Sequence, residues 1–68
     1  MNPFITAAQA KVLSYVTEDW IAQVDIAQWV GYKEVSYCSR ILKILKEKGL
    51  VEEMWDENIG RRYWRLKQ

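Results

Sequence analysis

The chain has 68 residues, of which half are hydrophobic and 28% are charged, and its net charge is only +1. This length allows one small domain, and the composition is typical of a globular protein, not of a disordered one. A single cysteine excludes an internal disulfide, and the absence of histidine excludes the usual zinc-binding sets and histidine-dependent catalytic triads. We therefore expect a single domain over residues 1–68, with an ordered core over about residues 5–66.

The charges are unevenly distributed along the chain. Residues 1–32 carry one lysine and three acidic residues, a net charge of −2, whereas residues 33–68 carry nine basic and six acidic residues, a net charge of +3. The basic side chains are therefore concentrated in the C-terminal half.

The sequence contains no segment that suggests a membrane or an export signal. Its longest apolar runs extend over a few residues, far below the roughly 20 that cross a bilayer. The first residues, Met1–Thr6, lack the basic and apolar regions of a signal peptide. We therefore expect an intracellular, cytoplasmic protein without a membrane partner.

The first predicted helix begins at a capping box. Thr6 can accept a hydrogen bond from the Gln9 amide, and the Gln9 side chain can reach back, with Ile5 and Ala10 as a flanking hydrophobic staple. Apolar residues then recur at three- and four-residue spacing, which predicts a helix running to about Val16. Its buried stripe comprises Ala8, Val12, Leu13 and Val16, with Tyr15 beside it.

A short second helix is predicted after an ambiguous apolar pair. Trp20 and Ile21 fit either a brief strand or a plug over the core, because two residues are too few to decide. Val24–Val30 then shows helical spacing, and Gly31 follows where a helix would end with a left-handed residue. No good capping residue precedes this helix, so its stability must come from packing of Ile26, Ala27 and Val30.

The third and longest predicted helix extends over Lys33–Lys48, and Gly49 is its stop signal. At about 100° per residue, two faces separate. The apolar face carries Val35, Cys38, Leu42 and Leu45, with Ile41 flanking them. The opposite face is polar and carries Ser36, Arg40, Lys43 and Glu47, with Lys33 and Ser39 alongside.

Two strand-like runs after Gly49 predict a β-hairpin. The runs are Leu50–Trp55 and Arg61–Leu66, and a five-residue loop, Asp56–Gly60, would join them. If Trp55 pairs with Arg61, the face directed to the core carries Leu50, Met54, Trp64 and Leu66. The other face then carries Val51, Glu53, Tyr63 and Arg65.

Three segments of this chain resemble the winged helix-turn-helix family. Asp25-Ile26-Ala27 followed by Gly31 is similar to the family's acidic-Leu-Ala and turn glycine. Arg40–Val51 is similar to its recognition helix running into strand 2, and residues 56–62, which we call the wing, are similar to its acidic loop and arginine. Within the family, the resemblance is to MarR- and ArsR-type regulators, including the minimal regulators of phages, plasmids and archaeal viruses. It implies an α+β fold of three helices followed by a two-stranded β-hairpin wing.

The resemblance also implies a way of binding double-stranded DNA. Helix 3, at about residues 33–48, would enter the major groove, and the wing would lie on the flanking backbone or minor groove. The residues placed for base edges are Ser36, Tyr37, Ser39 and Arg40, and those placed for the DNA backbone are Lys33, Lys43, Arg61 and Arg62. Arg40 is the best candidate for reading guanine, because its guanidinium can donate two hydrogen bonds to O6 and N7.

The same features also have structural explanations. The polar face of helix 3 could be an ordinary solvated surface. Arg62 could pair with Glu52 or Glu53 across the hairpin, a contact worth under about 1 kcal/mol if it is exposed. The four carboxylates near the wing would repel phosphate, so affinity would depend on helix 3 or on a dimer; they belong to Glu52, Glu53, Asp56 and Glu57.

The chain has four tryptophans, which need not act together. We expect Trp64 and Trp20 in the core, because a small domain needs bulky residues at its centre. Trp29 and Trp55 would mark a contact surface if they are exposed.

The residues with reactive side chains do not form a catalytic set. Cys38 lies between Val35 and Leu42 on the buried stripe, which favours an inert core thiol over a redox or metal sensor. Glu52-Glu53 and Asp56-Glu57 are adjacent pairs whose carboxylates would point in different directions. We therefore expect no enzymatic activity, cofactor, metal or small-molecule ligand.

These observations lead to two alternative functions. The first is sequence-specific DNA binding as a small transcriptional regulator, a repressor that acts as a homodimer and associates with the nucleoid when bound. The second is a winged-helix protein-interaction module, such as an inhibitor or assembly subunit, that does not bind specific DNA.

Overall fold

The structure is a computed structural model that describes residues 4–68, so residues 1–3 of the predicted domain lie outside the described residues. Three helices and three strands follow one another as α1 (Ala7–Leu13), β1 (Ile21–Ala22), α2 (Gln23–Val30), α3 (Val35–Glu47), β2 (Val51–Asp56) and β3 (Arg61–Leu66). The strands form an antiparallel sheet in the order β1-β3-β2. The predicted α+β arrangement of three helices and a hairpin is confirmed, and the brief-strand interpretation is correct for Ile21.

Helix α1 begins as predicted but ends three residues earlier. The Gln9 amide donates to Thr6 Oγ1 at 3.2 Å and the Thr6 amide donates to Gln9 Oε1 at 3.1 Å, which completes the capping box. The predicted end at Val16 is wrong. After Leu13 the chain tightens into a turn in which the Val16 amide donates to the Leu13 carbonyl, and Ser14 Oγ donates to the Lys11 carbonyl at 2.6 Å.

Helices α2 and α3 both end at a left-handed glycine, as the sequence predicts. Gly31 has φ 93° and Gly49 has φ 78°, values that other residues rarely adopt. At each end, the next amide reaches back five residues, from Tyr32 to Ala27 and from Leu50 to Leu45, both at 3.0 Å. These are Schellman caps, which satisfy carbonyl groups that the helix leaves free.

The beginning of α3 differs from the prediction by two residues. Glu34 has extended dihedral angles and is the N-cap, so the helix starts at Val35 and Lys33 lies in the preceding turn. Neither Ala22 before α2 nor Glu34 before α3 makes a side-chain capping hydrogen bond. The predicted dependence of α2 on packing is therefore consistent with its structure, in which Ile26, Ala27 and Val30 are buried.

One core joins the three helices to the hairpin. Trp64 is fully buried as predicted, and its indole Nε1 donates to Gln23 Oε1 at 2.9 Å, so the polar atom of this large ring has a partner. Trp20 does not join this core: its ring is only partly buried, and the Arg65 guanidinium lies 4.3 Å from its centroid. The buried core residues are Val12, Val16, Ile26, Ala27, Val30, Cys38, Ile41, Leu42, Leu45, Val51 and Trp64.

The register of the hairpin differs from the predicted one by one residue. Asp56 pairs with Arg61 and Trp55 pairs with Arg62, so the loop has four residues, Glu57–Gly60. Because a one-residue shift reverses the faces of a strand, Val51 is buried and Met54 is exposed. The prediction that Leu50 and Met54 face the core with Trp64 and Leu66 is therefore wrong for β2, although Leu50 and Leu66 pack against the core from its edge.

The loop chemistry explains this shift. Asp56 Oδ1 accepts the Asn58 amide at 2.9 Å and the Ile59 amide at 3.3 Å, and the Asp56 carbonyl accepts the Gly60 amide at 2.7 Å. Asp56 can therefore end the strand and organise the turn at the same time. Gly60 supplies the positive φ, 74°, with which the loop returns to β3.

Candidate nucleic-acid interface

The outer face of α3 is polar and is not used by the fold. Ser36, Arg40 and Lys43 are exposed, and none of their side chains makes a hydrogen bond or ion pair within residues 4–68. Ser39 is partly buried at the border of this face. The opposite face of the same helix buries Cys38, Ile41, Leu42 and Leu45, so the helix is held firmly while its polar side chains remain free.

Two lysines near the end of α3 attach the helix to other elements. Lys48 Nζ donates to Gln9 Oε1 at 2.8 Å and to the Phe4 carbonyl, which ties α3 to the start of α1. Lys46 Nζ lies 2.6 Å from Glu53 Oε1 on β2. The sequence did not predict either role. Lys48 and Gln9 are far apart in the sequence, and Lys46 and Glu53 lie on different elements.

The two wing arginines have different surroundings. Arg61 is exposed and makes no side-chain hydrogen bond or ion pair within the described residues. Arg62 is 34% exposed, its Nε lies 3.2 Å from Glu53 Oε2, and its guanidinium carbon lies 5.7 Å from the centroid of the Trp55 ring. The Arg62 Nε–H does not point at the carboxylate, so this contact is an ion pair by distance without a hydrogen bond.

Most of the carboxylates near the wing have internal partners. Glu53 lies between Lys46 and Arg62, and the Asp56 carboxylate accepts the loop amides. Glu52 Oε1 lies 3.3 Å from Arg65 Nη2. The family's wing often carries a further acidic residue where this chain has Asn58-Ile59, and here Glu53 on β2 supplies the carboxylate beside the arginine. Glu57 at the exposed loop is the one of these four carboxylates without an ion pair or hydrogen bond within the described residues.

The pKa of Glu52 reflects this pairing. Burial raises the pKa of this carboxyl. The hydrogen bonds from Arg65 and the Gln68 amide and the positive charges of Arg65 and Lys67 lower it by more, so the pKa of Glu52 lies below its ordinary value. Glu52 therefore remains ionised and paired at neutral pH.

Cys38 lies in the core, as predicted. Its side chain is fully buried, and burial raises the pKa of the thiol to about 11. The nucleophilic thiolate is therefore scarce at neutral pH. Within residues 4–68 no group of three or more Asp, Glu or Cys side chains is placed to hold a metal ion, and no helix has the length and apolar composition required to cross a membrane.

Two exposed tryptophans and a groove beside the wing are further features of the surface. Trp29 on α2 is 51% exposed and Trp55 on β2 is 53% exposed. The sequence predicts that exposed tryptophans at these two positions mark a contact surface. A groove of about 250 Å³ separates the start of α2 from the wing, and its lining includes Gln23, Val24, Trp55, Arg61 and Arg62.

The predicted base-reading residue Tyr37 is half-exposed and has an aromatic neighbour. Its ring contacts the ring of Tyr32 in an edge-to-face arrangement, with centroids 4.8 Å apart and an interplanar angle of 73°. Sequence reasoning missed Tyr32, because the pair spans the turn between α2 and α3, where helical periodicity gives no information.

The solved structures that are similar to nearly the whole of this chain include the following three. The S. aureus MepR–DNA complex is 26% identical, with a TM-score of 0.78, over 94% of this chain and 54% of the MepR chain. The PcaV transcriptional regulator from Streptomyces coelicolor, solved with its natural ligand, is 27% identical, with a TM-score of 0.77, over 94% of this chain and 46% of PcaV. A homodimeric winged helix-turn-helix DNA-binding domain from Mycobacterium bovis, a possible ArsR-family transcriptional regulator, is 25% identical, with a TM-score of 0.76, over 93% of this chain and 56% of the M. bovis chain.

These similarities define the class of protein. The helix-turn-helix of α2 and α3, followed by the hairpin, is a winged helix-turn-helix fold, as the sequence predicts. The predicted resemblance to MarR- and ArsR-type regulators is also confirmed. This chain spans about half the length of the neighbours. No protein-family model matches the sequence, and no curated protein does.

Proposed function

We propose that this chain binds double-stranded DNA and acts as a small transcriptional regulator without enzymatic activity. The observation that carries the proposal is the outer face of α3, whose polar side chains the fold leaves unused on a scaffold similar to one solved with DNA. In this proposal α3 enters the major groove, and the wing contacts the flanking backbone or minor groove.

The proposed roles follow from exposure and chemistry. Arg40 reads a guanine, and Ser36, Tyr37 and Ser39 contact neighbouring base edges. Lys33, Lys43 and Arg61 contact the DNA backbone, and they carry no sequence information. Arg62 was assigned the same role from the sequence, but Glu53 and Trp55 hold it in the free protein, so its contribution to binding should be smaller than that of Arg61.

The proposal includes a homodimer that represses transcription. A single reading helix of 13 residues contacts few base pairs, and two such helices on neighbouring half-sites supply the missing specificity. The M. bovis neighbour is a homodimeric domain, which supports this arrangement. Repression by occupying an operator needs no further domain, and such a protein would be cytoplasmic and associated with the nucleoid when bound.

The salt dependence of duplex binding tests the proposal. Affinity for a mixed duplex pool should be detectable at low salt and should fall steeply as salt rises, because lysine and arginine contacts release counterions from the phosphates. Fluorescence anisotropy with a labelled duplex measures this directly. Absence of binding at low salt, or affinity that does not change with salt, refutes the proposal.

Selection of bound sequences from a random duplex pool tests the finer statements. An inverted repeat with half-site centres separated by about one helical turn supports a symmetric dimer. A single short site indicates a monomer, and the absence of enrichment indicates binding without specificity.

A protein-interaction module is the second candidate function. The exposed rings of Trp29 and Trp55 favour it, because aromatic side chains are enriched at protein interfaces. The two functions predict different results in the salt experiment, since a partner held by apolar contacts would remain bound as salt rises.

A further inference from the structure

Tyr32 and Tyr37 form an aromatic pair across the turn that joins α2 to α3. The edge-to-face arrangement, at 4.8 Å between centroids, is one that aromatic rings prefer. Tyr37 lies in the first turn of α3, and its side chain is 45% exposed. Its ring therefore contacts Tyr32 and is also partly open to solvent at the start of α3.

Tyr32 is fixed at both its backbone and its side chain. Its amide donates to the Ala27 carbonyl at 3.0 Å in the cap that follows left-handed Gly31. Its ring is partly buried and packs against the core. Burial, together with the neighbouring Tyr37 and Cys38, raises the pKa of its hydroxyl, so the Tyr32 side chain is uncharged at neutral pH.

The surroundings of the pair favour an apolar group on the DNA. Gly31, Tyr32, Lys33, Glu34 and Tyr37 line a depression of about 300 Å³ at the start of α3. In the major groove the apolar group available to such a surface is the 5-methyl group of thymine. An aromatic ring that is already held in place loses less conformational freedom on binding than a mobile one.

We propose that Tyr32 is a positioning residue that holds the Tyr37 ring against the 5-methyl group of a thymine in the major groove. The inference rests on the proposed DNA-binding function and adds to it one recognised chemical group and one residue outside the recognition helix. Tyr37 contacts the base, and Tyr32 acts through Tyr37.

Replacement of thymine by deoxyuridine tests this contact, because the exchange removes only the methyl group. Each thymine of the duplex selected from the random pool is replaced in turn. Wild-type protein should lose affinity about fourfold at one position in each half-site, the effect of burying one methyl group. Tyr37→Ala should bind the thymine and deoxyuridine duplexes equally.

The role of Tyr32 is tested with two matched variants. Tyr32→Leu keeps an apolar side chain at the core but removes the ring, and it should bring the thymine-to-deoxyuridine affinity ratio close to 1 while affinity for unrelated duplex is unchanged. Tyr32→Phe keeps the ring and should retain the wild-type ratio. Circular dichroism checks the fold of each variant. If Tyr32→Leu does not fold, the side-chain couplings of Tyr37 in free wild-type protein replace it, and one dominant rotamer is the expected result.

Several outcomes overturn the proposal. These are an optimal duplex in which no thymine methyl affects affinity, a folded Tyr32→Leu variant with the wild-type ratio, or a free Tyr37 ring that averages over rotamers. Failure of the DNA-binding function is distinguishable from these, because then the wild-type protein shows no salt-dependent duplex binding at all.

Discussion

Helix α3 and the hairpin β2–β3 are held in the fold by different interactions. The helix places Cys38, Leu42 and Leu45 at full burial, whereas the hairpin contributes only Val51 and Trp64 to the buried core. Along the rest of the hairpin, Glu53 pairs with Lys46 and Arg62, and Glu52 pairs with Arg65. The helix is therefore positioned by burial, whereas the hairpin combines two buried side chains with partly exposed ion pairs.

Because of this difference, α3 uses different side chains for stability and for the proposed DNA binding, whereas the hairpin uses some of the same side chains for both. On the outer face of α3, the exposed side chains of Ser36, Arg40 and Lys43 have no internal partner in the described part of the chain, so removing one should change binding without changing the fold. Several charged side chains of the hairpin pair with one another or with α3, so a mutation of one of them should affect both stability and binding. Salt should likewise act on the wing more than on α3, because it screens partly exposed ion pairs and leaves apolar burial intact.

The largest expected effect is a loss of stability on truncation of the buried face of α3. Leu42→Ala should lower the free energy of unfolding by about 2–5 kcal/mol, because it leaves a cavity in a close-packed core. The neighbouring exposed Lys43→Ala should change it by less than about 0.5 kcal/mol. Denaturant unfolding measures both, and similar losses in the two variants would contradict the assignment of the two faces.

A smaller effect is expected on DNA binding from the outer face. Arg40→Ala should cost about 1–3 kcal/mol of discrimination between the preferred duplex and an unrelated one, because a bidentate contact to guanine is lost. Lys43→Ala should weaken binding to all duplexes alike and reduce the slope of log affinity against log salt by about 1. Binding titrations at several salt concentrations separate these outcomes. Equal effects on specific and unrelated duplexes from both variants would show that the two roles are wrongly assigned.

The difference between α3 and the hairpin also explains which features the sequence could predict. The two faces of α3 were predicted correctly, because helical spacing alone determines which side chains share a face. Gly31 and Gly49 also marked the ends of their helices, since the left-handed cap is a local requirement. These features depend on residues close together in the sequence.

The incorrect predictions depend on longer-range geometry. The register of the hairpin follows from the Asp56 carboxylate, which accepts hydrogen bonds from the loop amides. The alternation of apolar and polar residues does not show that Asp56 belongs to the strand and not to the loop. The pairing of Glu53 with both Lys46 and Arg62 requires the packing of α3 against β2, which no local pattern reveals. The contact between Tyr32 and Tyr37 likewise depends on the angle between two helices.

Removal of the Glu53 carboxylate should show how much the ion pairs of the hairpin contribute to the stability of the fold. Glu53→Gln should lower the free energy of unfolding by less than about 1 kcal/mol, because both ion pairs are partly exposed. It should also raise affinity for duplex DNA, because Lys46 and Arg62 are released and one negative charge is lost. Thermal unfolding and binding titrations measure the two effects.

The matched control for this prediction is Glu57→Gln in the wing loop. Glu57 is exposed and has no ion-pair partner within residues 4–68, so its removal changes the net charge equally without breaking a pair. Affinity should rise in both variants, whereas stability should fall only in Glu53→Gln. Equal stability of the two variants would show that the ion pairs of Glu53 do not support the wing.

The smallest expected effect is the response of the hairpin to acid through Glu52. The pKa of Glu52 is lower in the folded chain than its ordinary value of 4.5, so its pairing with Arg65 stabilises the fold above that pH. As the pH falls below 4.5 and through the lowered pKa, the carboxyl becomes protonated and this contribution is lost. The free energy of unfolding, measured from pH 7 to pH 3, should therefore decrease less steeply in Glu52→Gln than in wild type. An unchanged slope in Glu52→Gln would show that the pairing of Glu52 with Arg65 does not contribute to the stability of the sheet.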